Sequence, residues 1–284
     1  MRNLTLAVSA LLVMASVSVA SAETTLERGA YLAKGIVACG NCHTPQTPKG
    51  PAPGMEMAGT FLTEDPAFKA FAPNITPDKK TGIGTWTKAQ LIRAIREGVR
   101  PDGSIIGPPM PIGLYRGMSD KDVDAVATYV MSIPPVSNAV PKSEYRIPLP
   151  PSYGPPVGSV AEVSKSDKVA YGAYMAGPLG HCIECHTPFI KGMPDFANQL
   201  GAGGFEFHGP WGVSVSANIT PHADSKVSGY TDMQLKAVTQ TGVRPDGTRL
   251  LPPMGVYYYG SIKGRDIDAL VAYLRSMPAK PNPN

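Results

Sequence analysis

The chain has 284 residues, a formal net charge of +4 and 17% charged residues, against 43% hydrophobic and 7% aromatic ones. Its lysines and arginines are scattered among acids, so no basic stripe marks a nucleic-acid surface, and the length suits two ordinary domains better than one. Four cysteines leave a choice between disulfides and a cofactor, which their spacing must decide.

Residues 1–22 read as a secretory signal: Arg2 supplies a basic start, Leu4 to Val19 an apolar stretch, and Ala20-Ser21-Ala22 a small-residue cleavage site before Glu23. The expectation is export, and no later stretch is long or apolar enough to span a bilayer. Residues 23–37 are predicted as a short helix leading into Cys39-Gly40-Asn41-Cys42-His43. A second helix is expected over 87–97, with Thr87 as N-cap and Gly98 just past its end. Ser119 and Asp122 form a capping box ahead of Val123, Val126, Ala127 and Val130, whose spacing presents one apolar stripe to a core.

Residues 134–156 carry eight prolines, including Pro134-Pro135, Pro150-Pro151 and Pro155-Pro156. Such a segment stays extended as a semi-rigid linker, and Tyr145, Ile147, Leu149 and Tyr153 give it the means to dock against a surface. The same elements then recur. A helix over 165–176 leads into Cys182-Ile183-Glu184-Cys185-His186, another is expected over 231–241 before Gly242, and Ile267, Leu270, Val271 and Leu274 stripe a closing helix.

The two halves align at an offset of 143 residues for Gly29-Ala30-Tyr31 with Gly172-Ala173-Tyr174, and for Cys39 with Cys182. Beyond a single-residue indel the offset is 144: Asn74-Ile75-Thr76-Pro77 matches 218–221, Gly98-Val99-Arg100-Pro101-Asp102-Gly103 matches 242–247, and Pro108-Pro109-Met110 matches 252–254. A tandem duplication follows, with domains over 23–133 and 164–284 joined by a linker over 134–163. The Gly- and Pro-rich stretches inside each repeat carry too little apolar periodicity to make a core alone, so a bound group is expected to fill it.

CxxCH is the attachment spacing of c-type haem. Two thiols one turn apart can each add to one vinyl group of a porphyrin, and the next residue's imidazole then reaches the iron. A redox dithiol would need a βαβ context that is absent, and zinc would not explain a histidine directly after both pairs. Two covalently bound haem c groups are therefore expected, with His43 and His186 as iron ligands. Between residues 23 and 156 the only histidine is His43, so the sixth ligand of the first haem is expected to be a methionine. Of Met55, Met57, Met110, Met118 and Met131, only Met110 has a methionine counterpart, Met254. His181, His208 and His222 stay open as rivals to Met254. His/Met ligation raises the potential of haem iron relative to two imidazoles and leaves no open position, which favours electron transfer over catalysis.

These motifs resemble those of the cytochrome c subunits that serve bacterial periplasmic alcohol, aldehyde and gluconate dehydrogenases. The resemblance rests on CxxCH followed by Thr44-Pro45 and Thr187-Pro188, the Asn-Ile-Thr-Pro stretch with Gly82-Ile83-Gly84 and Trp86 after it, Gly-Val-Arg-Pro-Asp-Gly, and Pro-Pro-Met. It implies a mainly α architecture of two tandem class I cytochrome c-like domains, with Gly29 and Gly172 permitting close helix crossings against Tyr129 and Tyr273. It also implies a periplasmic electron carrier with a dehydrogenase as donor and a cytochrome or terminal oxidase as acceptor. Asn74, Trp86 and Arg100, with Asn218, Tyr230 and Arg244, become candidates to hold haem propionates or the loops near them. Tyr230 stands where the first repeat has Trp86 and His222 where it has Asp78, so the two pockets need not share one potential. The alternative is a dihaem enzyme, such as a thiosulfate dehydrogenase or a peroxidase, which would need an iron with an open or displaceable ligand.

Overall fold

A computed structural model describes residues 22–283. All but the last residue of the expected secretory signal lie outside the described residues, among which no helix is long and apolar enough to cross a membrane.

Helices dominate. The first repeat runs α1 (Thr25–Lys34), α2 (Cys39–His43), the short pair β1 (Gln46–Thr47) and β2 (Gly50–Pro51), the hairpin β3 (Thr60–Glu64) and β4 (Phe68–Ala72), then α3 (Lys88–Glu97), α4 (Ile112–Tyr115) and α5 (Asp120–Ser132). After β5 (Glu144–Tyr145) the order repeats: α6 (Lys168–Tyr174), a π-helical turn (Met175–Leu179), α7 (Cys182–Cys185), β6 (Phe189–Ile190), β7 (Met193–Pro194), β8 (Glu206–Gly209), β9 (Gly212–Val215), α8 (Asp232–Thr241), α9 (Val256–Tyr259) and α10 (Gly264–Ser276).

Helix α1 is shorter than the expected span over 23–37. Thr24 and Glu27 close a full capping box at its start, and Gly35 ends it early so that the chain can turn into α2. In the second repeat Pro178 has no N–H for an α-helical ladder, and the end of the predicted helix winds as a π turn instead. Helices α3 and α8 match expectation closely: Thr87 and Thr231 are capping-box N-caps, and Gly98 and Gly242 both take φ +68° at the C-caps.

The crossings of α1 with α5 and of α6 with α10 depend on glycine. A Cβ on Gly29 would lie 1.9 Å from the Ala125 carbonyl oxygen and 2.8 Å from Tyr129 Cβ; on Gly172 it would lie 2.0 Å from the Ala269 oxygen and 2.7 Å from Tyr273 Cβ. The apolar stripes of α5 and α10 face the core that these crossings create, with Val123, Val126, Ala127, Val130, Ile267, Leu270, Val271 and Leu274 all buried.

The expected capping box at Ser119 forms only in part. The Ser119 hydroxyl accepts from the Asp122 N–H. The Asp122 carboxylate, however, accepts from Arg28 at 2.8 and 3.0 Å and from the Tyr174 hydroxyl of the other repeat at 2.8 Å. The Pro-rich segment lies along the first repeat. Asn138 Nδ2 donates to the carbonyls of Ala58 and Gly59, β5 adds antiparallel to β4, and the hydroxyls of Tyr145 and Tyr153 donate to Pro108 and Ile106.

One apolar cluster runs through both repeats, with Leu32, Ile36, Tyr115 and Met118 from the first and Tyr171, Tyr174, Leu179, Tyr259 and Ile262 from the second. A smaller cluster, around Leu235, Val238, Val271 and Leu274, belongs to the second repeat alone.

Candidate haem-attachment sites

Each CxxCH segment is held at the start of a short helix by a residue in left-handed conformation, Ala38 at φ +48° and His181 at φ +41°. Helical spacing then sets Cys39 beside Cys42, and Cys182 beside Cys185, on one face of a single turn. All four thiols are free of disulfides. Burial pushes Cys39 up to about 12 and both Cys42 and Cys182 up to about 11, and it raises Cys185 as well. They are neutral thiols, and no group of three or more His, Cys, Asp or Glu side chains gathers as a metal cage among the described residues.

The histidines carry the more telling geometry. His43 Nδ1 lies 2.8 Å from the Pro73 carbonyl oxygen, and His186 Nδ1 lies 2.7 Å from that of Ala217. A carbonyl can only accept, so Nδ1 carries the proton and Nε2 keeps its lone pair. Burial also lowers both imidazoles below the ordinary histidine value, outweighing the carbonyl contact that raises them, so both are neutral near pH 7. Two thiols on one turn and an imidazole with its Nε2 free form a donor set that fits a c-type haem.

Met110 and Met254 are half-buried and pack against the cluster that also takes in Cys39, Cys182 and Trp86. Each follows a cis Pro-Pro bond, and their carbonyls accept from Ile112 at 2.8 Å and Val256 at 2.9 Å. Two rivals to Met254 are engaged elsewhere: His208 is exposed beside Glu206 on β8, and His222 Nδ1 accepts from the Asp224 N–H. His181 is half-buried against the edge of the Tyr115 ring, at 5.9 Å between centroids, and desolvation lowers it to about 4.

Asn74 and Asn218 spend their side chains on backbone next to the histidine-orienting carbonyls. Asn74 donates to Thr81 and to the Val136 carbonyl and accepts from the N–H and hydroxyl of Thr76; Asn218 donates to Lys280 and Asn282 and accepts from Thr220 in the same way. Arg100 and Arg244 close their own turns onto the carbonyls of Ile105 and Arg249. Trp86 packs on the shared cluster, and Tyr230 on the smaller one, where Arg275 donates to its carbonyl.

What sequence reading missed is that the two attachment segments face each other. Asn41 Nδ2 donates to the Pro253 carbonyl at 3.1 Å, in the loop before Met254. Glu184, the counterpart of Asn41, is pushed by burial up to about 7 and raises Cys42 of the other repeat. Tyr115 and its counterpart Tyr259 are buried between the segments; burial raises both phenols, and both also feel Cys42. Their equivalence across the repeat offset was the available signal.

Comparison with known proteins agrees with this chemistry. Residues 26–134 match the cytochrome c family model, so the first repeat has the signature of a c-type cytochrome. Over nine-tenths of its length the chain is homologous to cytochrome c subunits of bacterial dehydrogenases. It is 32% identical over 275 residues to the fructose dehydrogenase cytochrome subunit of Gluconobacter japonicus, covering 90% of this chain and 53% of the relative. It is 33% identical over 278 residues to the gluconate 2-dehydrogenase cytochrome c subunit of Pantoea cypripedii, covering 91% and 60%. A diheme cytochrome c-type protein of Cereibacter sphaeroides is 29% identical over 255 residues, covering 85% and 82%. The chain thus spans about half the length of the dehydrogenase subunits it matches.

Proposed function

We propose that this chain is a periplasmic dihaem c-type cytochrome that takes electrons singly from a dehydrogenase and delivers them to a downstream cytochrome or oxidase. The observation that carries this reading is the doubled CxxCH segment whose histidine is oriented through Nδ1 by a backbone carbonyl. In each repeat, read as a class I cytochrome c-like domain, the thiols of Cys39 and Cys42, or of Cys182 and Cys185, anchor the porphyrin. His43 and His186 would supply imidazole nitrogens to the iron, and Met110 and Met254 thioether sulfurs. Bound haem supplies one-electron redox chemistry; the chain's part is to fix the ligands and exclude water. Asn74 and Asn218 serve as supports that keep the carbonyls of Pro73 and Ala217 in line with the imidazoles, while Arg100 and Arg244 stiffen the turns ahead of the methionines.

Replacing Met110 or Met254 by Ala tests the assignment. Covalent haem should survive denaturing electrophoresis, one of two low-spin signals should turn high-spin, and that site's potential should fall. Unchanged spectra would remove these methionines as ligands. Carbon monoxide binding to one haem of the reduced wild-type protein would favour a dihaem enzyme over a carrier.

A further inference from the structure

The boundary between the repeats is built from one contact made twice. The Tyr31 hydroxyl, on α1, reaches the first turn of α10 in the other repeat, where it accepts from the Lys263 N–H at 3.1 Å and donates to Asp266 at 2.7 Å. The Tyr174 hydroxyl, on α6, reaches the first turn of α5, where it accepts from the Ser119 N–H at 3.1 Å and donates to Asp122 at 2.8 Å. Lys263 and Ser119 are the N-cap residues of those helices, and the aspartates sit three residues on. A phenol from one repeat is thereby inserted into the capping arrangement of the other, between a backbone donor and a carboxylate that would otherwise meet each other.

Both aspartates are buried, at 5% exposure for Asp122 and 3% for Asp266, so neither hydrogen bond is easily exchanged for water. Flanking contacts also recur with their roles exchanged: a Cβ on Gly117 would sit 2.9 Å from Pro178, and one on Gly35 would sit 3.2 Å from Ser261. Such reciprocity is what a two-fold relation between the repeats requires. The clasp is also close in sequence to the chemistry. Tyr31 and Tyr174 lie on the helices that feed directly into Cys39 and Cys182, and Tyr115 and Tyr259 fill the space between the two attachment segments.

We propose that Tyr31 and Tyr174 are positioning residues for the haem pair: their reciprocal clasp holds the two attachment segments in one fixed relation, so that each haem senses the redox state of the other. This rests on the dihaem reading given above. The two sites then behave as one coupled unit rather than as two beads on a strap.

The test uses the holoprotein, comparing wild type with the Y31F/Y174F double variant, which keeps the rings and removes only the hydroxyls. Wild type should show mutual dipolar broadening of its two ferric EPR signals and a potentiometric titration in which reduction of one haem shifts the other. In the double variant both haems should remain low-spin while the broadening and the shift are lost or reduced. Should the double variant not fold, Y31F and Y174F singly, each keeping one clasp, should each show a partial loss. Independent haems in wild type, or coupling unchanged by the Phe substitutions, would overturn the proposal. Absence of two covalent low-spin haems would instead defeat the carrier reading itself.

Discussion

Asn74 occupies a position where one side chain closes several backbone accounts. It is 2% exposed, and truncating it strands the Thr76 N–H and takes the shorter of their hydrogen bonds from the Thr76 hydroxyl and the Val136 carbonyl, which keep each other at 3.3 Å, all beside the Pro73 carbonyl that orients His43. Each buried polar group left without a partner costs about 1–3 kcal/mol. Asn74→Ala is therefore expected to destabilise the protein by about 2–4 kcal/mol in urea unfolding, with the haem still attached and its potential altered. The sequence marks this residue by its repetition as Asn218 but leaves open whether it holds a haem propionate or a loop near one, since spacing cannot tell an amide facing a ligand from one facing backbone.

Among the elements, helices α3 and α8 were legible because everything that ends them is local: a threonine, a glutamine three residues on, and a glycine in left-handed conformation. The start of α5 was legible only by half. Ser119 caps its own helix, but the Asp122 carboxylate is taken by Arg28 and Tyr174, far away in sequence, and no short-range pattern reports that. The same limit applies to Glu184, which is half-buried and desolvated, close enough to Cys42 of the other repeat to raise its thiol. The crossing of α1 and α5 supplies a direct test of packing. In Gly29→Ala the added methyl would meet the Ala125 carbonyl at 1.9 Å, so the helices must separate. Overpacking of this kind costs about 1–3 kcal/mol, and a lower thermal midpoint should register it. Gly172→Ala should behave alike, since its methyl would meet the Ala269 oxygen at 2.0 Å.

Across the whole molecule the repeats share a core, and the Pro-rich segment is laid down on the first of them by polar contacts that respond to pH. Asp120 accepts from the Ser159 hydroxyl, Arg96 and the Val160 N–H, which together lower it from 3.8 to about 2. A carboxylate depressed in the folded state contributes stability that is present above its unfolded value and lost as pH falls through its folded one. Attachment of residues 157–160 should therefore be complete above pH about 4 and weaken from there towards pH about 2. Hydrogen exchange at the Val160 amide would follow it. Asp120→Asn should give faster exchange already at neutral pH, and equal protection in both proteins would count against this account.

The reciprocity of the tyrosine clasp also bears on how such a chain can arise. One repeat already holds both halves of the joint, a phenol on its first helix and a carboxylate on its last. Two separate copies of an ancestral single repeat could thus satisfy each other as a symmetric homodimer, with the strap added afterwards. Fusion of two such copies would free each to diverge around a preserved joint: Arg28 faces Asp122 in one half, while Tyr171 stands at the equivalent place beside Asp266 in the other.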